Sequence, residues 1–325
     1  MEFFSPIAIQ KLQPPIDYHH KILLTGSCFT QHIGNYLSDV KLEVLQNPNG
    51  ILFDPISVSE SLISYIENKE YDESDLFLAN EIWHSWKHHS AFSAIEESES
   101  LNRINASQKS AHAFLKNADW LIITLGSSFV YKLKENNQAV ANCHKAPASI
   151  FRKHLCSIEE IVTAFDTCIH RLFHFNKKLK IIFTISPVRH LRDGVVENNR
   201  SKARLIEAVH HLVDKFDGLY YFPAYELVID VLRDYRFFDI DFAHPNYQAT
   251  QFVLEKFTAN CFNQKTIDFM LKMKKLKTAM SHKPFHPDSL AHKKFLSENH
   301  ERVKQLQQAY PSVDFSGELQ FFSLE

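Results

Sequence analysis

The chain has 325 residues, with 36 Lys and Arg against 38 Asp and Glu, a formal net charge of −2, and 45% apolar and 23% charged residues. That is an ordinary globular composition, long enough for one large domain or two modest ones. The near-neutral balance excludes a chain that binds nucleic acid over its whole surface. The longest charge-free apolar run, 120–131, is well short of the roughly 20 residues a membrane helix needs.

The first residues, MEFFSPIAIQKLQPP, lack the basic start and apolar core of a secretory signal. The expectation is a cytoplasmic protein with no nucleic-acid partner and no integral membrane segment. Its five cysteines (Cys28, Cys143, Cys156, Cys168, Cys261) are scattered without CxxC spacing, which argues against a disulfide framework or a zinc knuckle. Only 7 residues are glycine, so each one present is informative, and 19 are histidine.

After a proline-bearing extended segment, KILLT at 21–25 reads as a buried strand ending at Gly26. A helix follows, with Ser27 in the N-cap position. Residues 42–45 read as a second strand, QNPNG at 46–50 as a turn, and 57–67 as a helix. The aromatic, histidine-rich stretch 79–94 reads as an irregular strand with a loop, and 98–116 as a polar-faced helix. DWLIITL at 119–125 is the next buried strand, ending at Gly126, and 129–142 a hairpin around 135–138.

Ser157 and Glu160 form a capping-box pattern that opens a helix to about 175. KLKIIFTI at 178–185 is a fourth strand, followed by a polar loop, a helix over 201–216 and a short strand at 219–222. Further helices are expected at 225–233 and 245–259, the latter starting on Pro245. Strands alternating with helices indicate a parallel sheet covered on both faces. In such a sheet the ligand site lies at the carboxyl ends of the strands.

Beyond about residue 264 the chain turns basic: ten Lys and Arg face four acidic residues over 265–304. Two helices, 266–280 and 287–308, form a helical C-terminal extension. The domain expectation is 1–263 and 264–325. Phe269, Met273 and Leu276 recur on one helical face, as do Phe295 and Val303, and those stripes need burial on the α/β core or on a second copy of the chain, as a homodimer. An anionic lipid or nucleic-acid surface is the alternative.

Two constellations carry chemistry. Gly26-Ser27-Cys28 sits between a strand and a helix, where backbone N–H groups stabilise an oxyanion and a thiol is expected to have a lowered pKa. The plain alternative is a capping serine and a small buried hydrophobe. Asp241 and His244, three apart before a helix, suit a carboxylate orienting a general-base imidazole. The alternative there is a helix cap and a solvated histidine.

Together these residues carry a resemblance. ILLTGSCFTQHIG resembles the signature of the GSCFA family, with Thr30 where that signature has alanine. TISPVRHLRDGVVENNRSKA and DYRFFDIDFAHPNYQAT resemble its later blocks, so the likeness spans about 20–260. The family in turn resembles the SGNH/GDSL esterases, which implies a three-layer α/β/α, flavodoxin-like (SGNH-hydrolase-like) parallel sheet.

Laid over that superfamily, Gly26 falls on the motif glycine, Ser27 on its aspartate and Cys28 on the nucleophilic serine. Ser27 remains a rival one residue off register. Asp241 and His244 match the terminal Asp-x-x-His. Gly50 falls on the oxyanion glycine, with Asn49 beside it as an alternative amide. Gly126-Ser127-Ser128 stands where Gly-x-Asn is expected, with Ser128 in place of the asparagine.

The resemblance implies an esterase or acyltransferase acting on an ester or thioester of a small-molecule, glycan or lipid acyl substrate through a Cys28–His244–Asp241 relay. The alternatives are a Ser27 hydrolase and a catalytically silent protein that binds a carbohydrate or acidic ligand. Arg189, His190 and Arg192 after the fourth strand, and His89, are candidate substrate-binding residues. No cofactor motif and no metal-ligand spacing is present, and none is expected.

Overall fold

The computed structural model describes residues 5–323; residues 1–4 of the N-terminal segment and the last two lie outside the described residues. Five strands form the central sheet: β1 (Ile22–Gly26), β2 (Val44–Gln46), β3 (Trp120–Leu125), β4 (Lys180–Ile185) and β5 (Leu219–Phe222). Their spatial order is β2-β1-β3-β4-β5, and every neighbouring pair is parallel. This is the flavodoxin-like order, with its topological switch between β1 and β3. Buried on both faces, the strands read as continuous apolar runs such as WLIITL in β3.

On one face, Leu23, Leu121, Ile123, Ile181 and Phe183 pack against helices α2 (Pro55–Glu67), α3 (Glu97–Asn117), α4 (Ile158–Phe175) and α5 (Gly194–Lys215). On the other, Ile22, Leu24, Trp120, Ile122, Ile182 and Phe222 meet α1 (Cys28–Asp39) and α6 (Tyr247–Cys261). The result is a three-layer α/β/α fold with C-terminal helices added. Those helices are α7 (Gln264–Met280), α8 (Leu290–Ala309) and the short α9 (Ser316–Phe321), which sequence reading omitted. Phe269, Met273, Leu276 and Val303 are fully buried in the same cluster as α1 and the sheet. The apolar stripes of α7 and α8 therefore find their partner within the chain. Among the described residues no helix is long and apolar enough to cross a membrane.

Several boundaries differ from the sequence expectation. Helix α5 begins at Gly194, within the stretch read as a polar loop. In its first two turns Val195 and Val196 are exposed and the buried residue is the polar Asn198, so no apolar periodicity marks them. The expected helix at 225–233 is instead one α turn, Ala224–Glu226, followed by a π turn, Leu227–Val231. Residues 79–94 contain half of a hairpin, Phe77–Ala79 with Ile82–His84. The hairpin of Phe129–Leu133 and Ala139–Val140 gains a third strand, Phe151–Leu155. Pro245 stays outside α6, whose N-cap is Asn246, accepting from the Ala249 N–H.

Candidate active site

The turn after β1 is built on Gly26. Its φ is +144°, and a Cβ there would overlap the Thr124 backbone and the Thr30 hydroxyl. Only glycine lets β1 and β3 close at this point. The Gly26 N–H donates to Asn47 Oδ1 at 3.0 Å, and the Ser27 N–H to the Thr124 carbonyl at 3.0 Å. Ser27 occupies the N-cap position of α1 but makes no side-chain cap. Its hydroxyl is enclosed and has no partner among the described residues. Cys28 is half-buried at the first helical position. Its N–H and that of Phe29 have no acceptor elsewhere among the described residues, as first-turn donors usually lack.

The expected lowering of the Cys28 pKa is not what this environment produces. Burial pushes the thiol up, and the N–H groups of Phe29 and Cys28 and the charge of Lys202 only partly offset it.

The second element is the tight loop before α6. Its backbone is closed by Asp239 N–H to the His244 carbonyl (2.8 Å), Phe242 N–H to the Asp239 carbonyl (2.9 Å) and Asn246 N–H to the Phe237 carbonyl (2.9 Å). Asp241 Oδ1 accepts from the N–H groups of Ala243 (2.9 Å) and His244 (3.0 Å). Its Oδ2 lies 2.5 Å from His244 Nδ1. The His244 N–H and imidazole and the Ala243 N–H hold the carboxyl down to about 2. With Nδ1 engaged, His244 Nε2 is left to work outward; the imidazole is 51% exposed.

Arg189 braces this loop rather than standing free. Its N–H donates to the Ala243 carbonyl at 3.1 Å, and its guanidinium lies 4.4 Å from the Phe238 ring centroid. Burial and then His244 push His32 down; His190 is pushed down by burial, then by Lys202, with His244 adding least. His32 is one turn beyond Cys28 on the same face of α1. His190 is pushed down to about 4 and is neutral at pH 7, so it is not part of a positive cluster. Its Nε2 sits 3.4 Å from where a Cβ on Gly126 would be, and Ser27 Cβ 3.5 Å from the same point. The residues after β1, β3 and β4 and the Asp241–His244 loop thus converge at the carboxyl edge of the sheet.

The candidate oxyanion residues are largely engaged elsewhere. The Gly50 N–H donates to the Asn47 carbonyl at 2.7 Å, and the Gly126 N–H to the Phe53 carbonyl at 2.8 Å. The Ser128 N–H donates to Ser201 Oγ at 2.7 Å and its hydroxyl to the Ser201 carbonyl at 3.1 Å. Asn49 directs Nδ2 toward the Lys87 carbonyl at 3.4 Å. His89 packs its Cβ against Gly50, and its Nδ1 accepts from the Ala91 N–H at 3.3 Å, which makes it a brace for that turn. The N–H groups of Cys28 and Phe29 are donors with no acceptor among the described residues at the switch point.

The GSCFA family model matches residues 21–257, most of the chain, with the motif turn, β3, β4 and the Asp241–His244 loop inside it. The chain belongs to the GSCFA family. A second model, the C-terminal domain of GSCFA domain proteins, matches 273–325. No curated protein matches the sequence. Among solved structures, a carbohydrate esterase family 3 protein from Talaromyces cellulolyticus aligns over 78% of this chain and 98% of its own, at 8% identity and a TM-score of 0.38. An acetyl xylan esterase from the rumen bacterium Butyrivibrio proteoclasticus aligns over 78% of this chain and 66% of its own, at 10% identity and a TM-score of 0.38.

One residue of this GSCFA site escaped the sequence reading. Lys202 is fully buried on α5, and its Nζ donates to the carbonyls of Gly126 and Ser186, each at 2.6 Å. The available signal was its place on the buried stripe of α5 with Ser201, Leu205 and Val209. Among the described residues one group, His154, Cys156 and Glu160, brings metal-capable atoms within 4.8 Å. Glu160 there already closes the capping box with the Ser157 N–H (2.7 Å) and meets His154 Nε2 (2.7 Å). Burial, with Glu160 and Asp54 nearby, holds the Cys156 thiol up at about 12.

Proposed function

We propose that this GSCFA protein is an acyl-transfer enzyme, an esterase or acyltransferase acting in the cytoplasm on an ester or thioester. The observation that carries this reading is the Asp241–His244 contact of 2.5 Å, which leaves Nε2 free at the carboxyl edge of the sheet. In the proposed cycle His244 Nε2 takes the Cys28 thiol proton as Sγ attacks the acyl carbonyl. The N–H groups of Cys28 and Phe29 donate to the oxyanion as it develops. His244 Nε2 hands a proton to the departing alkoxide or thiolate, leaving an acyl-thioester on Cys28. It then takes a proton from water, in hydrolysis, or from an acceptor hydroxyl or amine, in transfer, and returns it to Cys28 Sγ as the thioester C–S bond breaks and the acyl product leaves. Asp241 keeps the imidazole in one tautomer and orientation throughout.

The enclosed Ser27 hydroxyl speaks against a serine nucleophile. The commitment of the Gly50 and Ser128 donors elsewhere favours the second reading, a silent binding protein for a carbohydrate or acidic ligand. The test is turnover of a panel of short acyl esters and thioesters, with intact-mass analysis of the trapped enzyme. The expected result is an acyl adduct on Cys28, lost in Cys28→Ala, and turnover about 10²–10⁴-fold lower in His244→Ala. An adduct retained in Cys28→Ala and lost in Ser27→Ala transfers the role to the serine. No adduct and no turnover on any ester leaves the binding protein.

A further inference from the structure

A cavity of about 360 Å³ opens beside the Asp241–His244 loop, with Arg189, Asp230, Arg233, Asp234, Tyr235 and Phe238 in its lining. Two of its walls are bonded to that loop. The Arg189 N–H donates to the Ala243 carbonyl at 3.1 Å, and Phe238 bridges to Pro245. Asp230 comes from the π turn Leu227–Val231, an irregularity that often marks a functional site.

The bond that braces the loop uses the Arg189 main chain. Its guanidinium lies 4.4 Å from the ring centroid of Phe238 and 5.3 Å from that of Tyr235. Its one side-chain hydrogen bond among the described residues is long, from Nη1 to the Phe242 carbonyl at 3.5 Å. Neither Arg189 nor the exposed Arg233 forms an ion pair among the described residues. Of the two acids in the lining, Asp234 is held by Arg236: its Oδ1 accepts the Arg236 N–H at 2.8 Å, and its Oδ2 is 3.6 Å from Nε. Asp230 is the one carboxylate left to oppose two guanidiniums. It is exposed, so water and salt screen it, whereas Arg189 is half-buried. A guanidinium packed on aromatic rings keeps its edge free, and that edge is a planar fork of donors matched to a carboxylate or phosphate.

We propose that this cavity is an anion pocket, in which Arg189 and Arg233 together take a carboxylate or phosphate group of the substrate beside the imidazole that moves the proton. That the anion belongs to a substrate rests on the acyl-transfer reading; that the pocket binds one does not. Arg233 is the partner of Arg189 in this role, since Arg192 and His190 are not in the lining.

The test follows the Nε–Hε NMR signals of Arg189 and Arg233 in the full chain. Inorganic phosphate and, separately, succinate are titrated in at constant ionic strength made up with chloride. Both signals should move together and saturate, and the anion that binds more tightly names the source. Arg233→Gln, at an exposed position, should weaken that binding about tenfold or more. Arg189→Lys keeps the charge but loses the fork and the stack, and should weaken it as well. Asp230→Asn should tighten it. Signals that saturate with neither anion, or an affinity unchanged in either arginine variant, overturn the proposal. So does an Asp230→Asn that loosens the anion, because the acid is then part of what holds it.

Turnover separates this pocket from the reading it serves. An ester carrying the more tightly bound anion should have a lower KM than a neutral ester of equal length, and should lose that advantage in Arg233→Gln. Saturable anion binding with no turnover of any ester keeps the pocket and removes the acyl-transfer reading. Turnover with no saturable binding keeps that reading and removes the pocket.

Discussion

Asp54 is a carboxyl closed off from water at the start of α2, where its Oδ1 accepts the Ser57 N–H at 2.8 Å. Burial lifts it to about 6, against the pull of Ser57. The folded state therefore holds this proton more tightly than the unfolded chain does. Below the unfolded value near 4 the group costs nothing. As pH rises the unfolded chain ionises first, and stability is lost until the folded group ionises near pH 6. Two units correspond to a penalty of about 3 kcal/mol at neutral pH. Asp54→Asn keeps the cap and removes the charge. It should raise the melting temperature on the order of 5 °C at about pH 8 and leave it unchanged near pH 4. An equal gain at both pH values in thermal melts would show that the buried charge is not the cause.

The same scale explains what the sequence could reveal of the site. Asp241 and His244 are three apart in one short loop, so their spacing alone implied their contact. Lys202 reaches carbonyls 76 and 16 residues away, and no local pattern connects them. Gly50, Gly126 and Ser128 were recognisable as residues that follow strands. The Gly50 N–H stays within its own turn, on Asn47, but the donors of Gly126 and Ser128 go to Phe53 and Ser201, which only the folded chain brings to them. For the thiol of Cys28, helix position alone suggested the wrong direction, because burial is invisible in a motif.

At the scale of elements, the first β-to-α turn is the most constrained joint. Gly26 needs a positive φ and space that a Cβ would take from the Thr124 backbone, which belongs to β3 and cannot swing aside. Gly26→Ala should cost about 2–6 kcal/mol, combining left-handed strain with overpacking. Gly317, at the start of α9 with nothing near its would-be Cβ, is the control; Gly317→Ala should be neutral or stabilising by up to about 1 kcal/mol. Urea midpoints compare the two, and similar values would refute the steric argument. The five central strands were legible because each is a short apolar run ended by a polar or glycine turn. The strand Phe151–Leu155 was not, since it pairs with Phe129–Leu133 on a half-exposed sheet and carries an exposed Arg152 and Lys153. The start of α5 was hidden for a related reason, as no side-chain cap marks it.

For the molecule as a whole, the question is what the residues after 263 do for the part that carries the site. Their stripes and their surplus of lysines were both readable, but the surface they cover was not, because it is formed by α1, α6 and the sheet together. Phe269, Met270, Met273, Leu276, Val303, Leu306, Tyr310, Phe315 and Phe322 are all buried in the cluster that holds Ile22, Leu24 and Ile33. Thr266 accepts the Tyr18 N–H at 2.9 Å, Lys41 bonds the Asp314 carbonyl at 2.7 Å, and Lys277 pairs with Asp39. At about 1.5–3 kcal/mol for each buried apolar side chain, the loss on removing nine of them exceeds roughly 10 kcal/mol. That equals or surpasses the whole stability of an ordinary domain, about 5–15 kcal/mol. A chain ending at residue 263 should therefore fail to give a cooperative thermal transition and should bind a hydrophobic dye, although every proposed catalytic residue is still present. A truncated protein that melts cooperatively within a few degrees of the full chain, and that alkylates at Cys28 with the same pH midpoint, would mean that the α/β layers hold the site unaided.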